Sequence, residues 1–125
     1  EATHSPWIQV GYELFALEGP SGLKVEVMAR KVGKSKSSFY HHFADLDLFT
    51  EQLLAHHQVQ ALHIARLERA CTSIDPELIN LLTTVSTDLL FNRQLRVHRD
   101  QEHFRICFEY SSQLVGEALG EVWAR

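Results

Sequence analysis

From Trp7 onward the apolar positions of this chain recur every three to four residues, the spacing of a helix face, and no stretch alternates as a half-buried strand does. Trp7, Val10, Leu14 and Leu17 form one ridge of a first helix entered at Pro6, and Ile8, Tyr12 and Phe15 form the ridge beside it, as expected of a core helix. Gly19-Pro20-Ser21-Gly22 ends it with four turn-forming residues. A short second helix follows, with Val25, Met28, Ala29 and Val32 on one face, and Gly33 stops it in the left-handed conformation that closes a helix C-terminus. Ser35 is placed to cap a third helix at once, with Phe39 and Phe43 turned inward one turn apart.

Asp45 is placed to cap a fourth helix running through Phe49, Leu53, Leu62 and Ala65 towards Arg69 without glycine or proline. Asp75-Pro76-Glu77 then reads as a cap, a first-turn proline and a dipole-complementing acid. The stripe Leu78, Leu82, Val85 and Leu89 predicts a buried helix behind it. After a polar segment from Asn92 to Arg99, Asp100 is placed to cap a last helix carrying Phe104, Cys107, Phe108, Leu114, Val115, Ala118, Leu119 and Val122, a stripe wide enough to need a partner. The fold class is therefore all-α. Glu1 to Ser5 are expected to fray.

Charge singles out one segment. Lys24, Arg30, Lys31, Lys34 and Lys36 stand against Glu26 between Lys24 and Phe43, whereas the whole chain is net −4. Two short helices joined across a glycine, with cations and small hydroxyls on the outer side of the second, are built as a helix-turn-helix DNA reader is built. Lys and Arg neutralise phosphates, and serines, Tyr40 and His41 have the groups to bond phosphates or base edges. Five cations in twenty residues also suit a solvated surface; the tight helix-glycine-helix spacing favours the reader.

The run Gly33-Lys34-Ser35-Lys36-Ser37-Ser38-Phe39-Tyr40-His41-His42-Phe43, preceded by Met28-Ala29, resembles the signature of TetR-type transcriptional regulators over roughly residues 7 to 56. The aromatic pair Phe39-Tyr40 followed by Phe43 is its most specific element. The resemblance implies a three-helix, homeodomain-like DNA-binding headpiece over residues 1–44 and a helical ligand-binding and dimerising domain over 45–125, shorter than usual, either because it lacks C-terminal helices or because it is a reduced version. It implies that Ser35, Lys36, Ser37 and Ser38 meet base edges or nearby phosphates, that Tyr40 and His41 touch the backbone, and that Lys24 and Lys34 add cationic contacts. Lys34 and Ser37 depart from the family's usual small apolar residue and glycine, and Leu46 replaces a phosphate-binding lysine, so Leu46 receives no DNA role. By the same resemblance the protein is a ligand-responsive repressor, or less often an activator. Its dimer binds an inverted-repeat operator in double-stranded DNA, and an unidentified small-molecule effector sits among apolar residues such as Leu82, Val85, Phe104 and Phe108, which also read as ordinary core.

Composition limits the alternatives. A chain of 125 residues, 45% apolar and 22% charged, can bury a core but not two full-sized domains. No apolar run approaches the roughly 20 residues of a bilayer span and no signal-peptide core is present, so a cytoplasmic protein is expected. Cys71 and Cys107 are isolated and read as free, buried thiols. The eight histidines raise a metalloprotein reading, yet His56 and His63 lie two turns apart and His98 and His103 five residues apart, so no pair brings two imidazoles together on one helix face; only His98 with Glu102 stands at i, i+4. No nucleophile elbow or Cys-His pairing is apparent, so neither an enzyme nor a cofactor is expected. A helical ligand- or protein-binding module with a degenerate reader remains open beside the regulator.

Overall fold

In the computed structural model residues 5–125 are described, and among them the chain forms seven α-helices and no strand. The expected fraying of Glu1 to His4 lies outside the described residues; Ser5 is the first residue of α1 (Ser5–Glu18). A single 3-10 turn over Pro20–Gly22 leads to α2 (Val25–Val32), α3 (Lys36–His42) and the long α4 (Leu46–Ala70). Beyond it come α5 (Ile79–Thr84), α6 (Ser86–Val97) and α7 (Glu102–Ala124).

The local signals around the second and third helices act as their chemistry requires. Gly33 closes α2 at φ 79°, ψ 33°, and its N–H donates to the Ala29 and Arg30 carbonyls. The Ser38 N–H donates to Ser35 Oγ at 3.2 Å, and the Leu48 N–H donates to Asp45 Oδ1 at 2.8 Å, so both helix starts are capped from the side chain.

One buried apolar cluster runs from the headpiece into the later helices. It holds Trp7, Phe15, Met28, Phe39, Phe43, Phe49 and Leu53, and continues through Phe91, Leu95, Phe104 and Cys107. α1 therefore packs both on its headpiece partners and on α6, where Phe15 and Phe91 lie 4.4 Å apart between ring centroids. Gly11 permits the close approach of α1 to α4: a Cβ there would fall 2.5 Å from Phe49 Cζ. A second, smaller cluster of Cys71, Leu78 and Val122, supported by Leu81, Leu82 and Leu119, joins the far end of α4 to α7. The Arg125 guanidinium donates to the Cys71 and Arg69 carbonyls at 2.7 and 3.0 Å and so satisfies the backbone where α4 ends. Cys71 and Cys107 are both free and buried.

Four expectations from the sequence need correction. Leu17, assigned to the α1 ridge, is 68% exposed, because the chain turns away at Gly19 before any partner reaches it. Asp75 does not cap: its backbone is extended (φ −119°, ψ 116°), Ser73 Oγ accepts the Glu77 N–H instead, and Glu77 turns its carboxylate back to the Thr72 hydroxyl at 2.9 Å. The stripe Leu78, Leu82, Val85, Leu89 is not one buried face, since Val85 (φ −102°, ψ 25°) breaks the helix between α5 and α6 and leaves Leu89 42% exposed. The segment Asn92 to Arg99 is largely helical, α6 reaching Val97, and α7 starts behind Gln101 without a side-chain cap from Asp100.

Candidate nucleic-acid interface

α3 owes its orientation to aromatic packing. Phe39 is fully buried, with its ring centroid 5.4 Å from Trp7, 5.1 Å from Phe43 and 5.3 Å from Phe49. Rings from α1 and α4, with the residue that ends α3 itself, thus surround it. At 100° per residue, fixing Phe39 and Phe43 inward turns Ser37 and His41 directly outward, with Tyr40 on one flank and Ser38 on the other. Lys36, Ser37, Tyr40 and His41 are exposed, Tyr40 to 51%, as are Lys34 and Ser35 in the turn and Lys24 at the start of α2; Ser38 is half-buried. Seven of the eight residues singled out from the sequence lie in α3 or the turn before it, and Lys24 is exposed just before α2.

Two details were not legible in the sequence. Ser35 Oγ is already an acceptor in its cap, leaving its hydroxyl proton and one lone pair for a ligand. Lys36 is not free of acids: Nζ donates to Glu26 Oε2 at 3.0 Å across the helix pair, both side chains being more than half exposed. Glu26 lies ten residues earlier, and only the crossing of α2 with α3 brings the two together. The Glu26 carboxyl is held below its ordinary pKa, first by its own backbone N–H and then by Lys36. Lys34, Ser38 and His41, together with Trp7, Val32 and His42, border an open hollow of about 500 Å³ at the start of α1.

The four apolar residues offered for an effector pocket do not meet. Phe104 is buried in the main cluster 5.5 Å from Phe15, and Phe108 packs against that cluster from its edge. Leu82 belongs to the second cluster, and Val85 sits in the break between α5 and α6. None of them lines the partly open cavity of about 220 Å³ that lies between α4, α6 and α7. Sequence reasoning placed them on stripes, and stripes pack into cores before they line cavities.

The polar centre of the molecule was missed. The Tyr12 hydroxyl donates to Asp88 Oδ1 at 2.7 Å and lies 2.6 Å from His57 Nδ1; His57 Nε2 lies 3.0 Å from Asn92 Oδ1, and Asn92 Nδ2 donates to Ser112 Oγ at 3.0 Å. This chain of bonds links α1, α4, α6 and α7. Burial, reinforced by Asp88, pushes the Tyr12 hydroxyl well above its ordinary pKa, and burial pulls the His57 ring below its own. A histidine and an aspartate 31 positions apart give no spacing signal, so only the fold discloses them. His98 lies near the Phe104 ring, and among the described residues no group of three His, Cys, Asp or Glu side chains could hold a metal ion.

A capped, aromatic-anchored α3 crossing a glycine-closed α2 defines the class: a helix-turn-helix headpiece with its cationic, hydroxylated side outward. A family model described as bacterial regulatory proteins, tetR family, matches residues 8–47. That segment, about a third of the chain, is similar to the N-terminal helix-turn-helix of TetR-family regulators, which supports a DNA-binding role in transcriptional regulation. No curated protein and no solved structure matches the chain. No helix among the described residues is long and apolar enough to cross a membrane.

Proposed function

We propose that the protein is a ligand-responsive repressor acting in the cytoplasm, in which residues 1–44 read DNA and residues 45–125 carry the effector and the dimer contact. The observation that carries the reading is the outward arc of α3, with Lys36, Ser37, Tyr40 and His41 exposed above a fully buried Phe39. Two copies related by a twofold axis would set their α3 helices in successive major grooves, about 34 to 36 Å apart, on an inverted repeat. Ser35, Lys36, Ser37 and Ser38 then face base edges or adjacent phosphates, Tyr40 and His41 meet the backbone, and Lys24 and Lys34 reach flanking phosphates. Lys36 leaves an exposed ion pair with Glu26 to do so, a pair of the weak, salt-screened kind.

An effector acts by preferring one spacing of the two α3 helices over the other, and its effect is limited to that difference in affinity. The continuous core from Trp7 to Cys107 supports such coupling, because α1 is shared between the headpiece and the later helices. Selection of bound fragments from random duplex DNA, followed by anisotropy titrations at several salt concentrations, tests the reading. An inverted repeat bound with a steep inverse salt dependence is expected. Absence of any salt-dependent duplex binding would refute it.

A further inference from the structure

The cavity between α4, α6 and α7 has the make-up of a small-molecule site. Its volume of about 220 Å³ exceeds the roughly 150 Å³ known to hold a benzene ring. Ile64, Leu89 and Val115 supply apolar wall, while His57, Asp88, Asn92 and two serines also line it. His57 is 3% exposed and Asp88 9% exposed.

Asp88 is the feature that gives the site a chemical preference. Its carboxylate receives the Tyr12 hydroxyl at 2.7 Å and the Gln60 amide at 3.4 Å, both on Oδ1 and both neutral donors. Among the described residues no Lys or Arg forms an ion pair with it. Burial pulls the nearest titratable rings, His56 and His57, below their ordinary pKa, and Asp88 opposes that pull. A buried carboxylate that lines a cavity without a cation is a receptor for one.

We propose that this cavity is the effector site, and that Asp88 selects a compact ligand with one ring-sized apolar body and one protonated amine. The inference rests on the regulator reading given above for its effector half. The ammonium donates to Asp88, and the apolar body lies against Ile64, Leu89 and Val115. Because the same carboxylate holds Tyr12 of α1, the cation competes with a bond that anchors the headpiece, and occupancy is felt at α3.

Calorimetric titration of the full chain with benzylamine and with benzyl alcohol, an uncharged molecule of the same size, tests the site. Benzylamine is expected to bind roughly tenfold or more tightly than the alcohol. Asp88→Asn, which keeps an acceptor for Tyr12, should erase that preference. Gly116→Leu should weaken both ligands, since Gly116 borders the cavity and a Cβ there meets nothing within 4 Å. Equal affinity for amine and alcohol in the unaltered protein, or a preference surviving Asp88→Asn, would overturn the assignment. Binding that survives Gly116→Leu but fails in Asp88→Asn would overturn the cavity in favour of the open groove that Asp88 also lines with Tyr12, His56 and Gln60. Benzylamine should also lower duplex affinity in the unaltered protein and not in Asp88→Asn; unchanged duplex affinity on amine binding would overturn the effector role. A chain that binds amine but no duplex at any salt would defeat the regulator reading, while the calorimetry still decides the cavity.

Discussion

Glu68 offers a test of the packing between α4 and α7. Its side chain is fully buried, and neither carboxyl oxygen has a hydrogen-bond partner. Arg69 beside it is engaged elsewhere, donating through Nε and Nη2 to Glu121 at 3.0 Å each. Burial therefore dominates and pushes the Glu68 carboxyl from 4.5 up to about 7, against a smaller opposing pull from Arg69. The folded chain keeps this proton up to about pH 7, while the unfolded chain releases it near 4.5. Stability is full below the lower value, falls as pH rises between the two, and is lost above the upper one. The interval corresponds to about 3 kcal/mol at most, at 1.36 kcal/mol per unit. Glu68→Gln removes the titration and keeps the shape. Urea unfolding of both proteins from pH 5 to pH 8.5 should give similar stabilities at the acid end. At the alkaline end the variant should be more stable by about 2 to 3 kcal/mol. The lowered carboxyls of Glu26, Glu77 and Glu121 act in the opposite sense, but they are common to both proteins and cancel in the difference. A difference that does not change with pH would refute the reasoning.

The headpiece yields further expectations. Phe39→Ala should destabilise by about 3 to 5 kcal/mol, because the ring it deletes is fully buried among Trp7, Phe43 and Phe49, and calorimetric melting would detect it. Gly11→Ala should cost about 1 to 3 kcal/mol from the clash with the buried Phe49 ring, more than the roughly 1 kcal/mol that alanine gains over glycine in a helix; chemical denaturation would give the sign. Lys36→Ala should weaken duplex binding and reduce the salt slope by about one, with helicity by circular dichroism unchanged. Glu26→Gln should do the reverse, tightening duplex binding on the order of a few-fold by freeing Lys36 and removing a negative charge near phosphate. Tyr40→Ala should weaken binding without loss of melting temperature, since the side chain is half exposed.

The headpiece was legible in the chain because its determinants are local. Gly33 supplies a positive φ, Ser35 and Asp45 bond backbone N–H groups three residues on, and Phe39 and Phe43 are one turn apart; each interaction closes within a few residues and leaves a spacing to read. Where the expectations failed, competing partners decided. Asp75 and Asp100 have cap chemistry, but Ser73 was better placed for the turn before α5, and α7 began one residue later than Asp100 could serve. Leu82, Val85, Phe104 and Phe108 have the right character for a pocket, yet apolar side chains on a stripe go first to whichever core is nearest, and these went to different places.

By itself, the sequence determined an all-helical chain, its reader, and the side of α3 that faces solvent, because helix periodicity, capping and charge act over one or two turns. Only the tertiary structure decided that Glu26 meets Lys36, that Glu68 is sealed without a partner, and that Tyr12, His57 and Asp88 share one hydrogen-bond network. Such contacts join residues tens of positions apart, and their energy depends on desolvation and on helix crossings that no local spacing encodes.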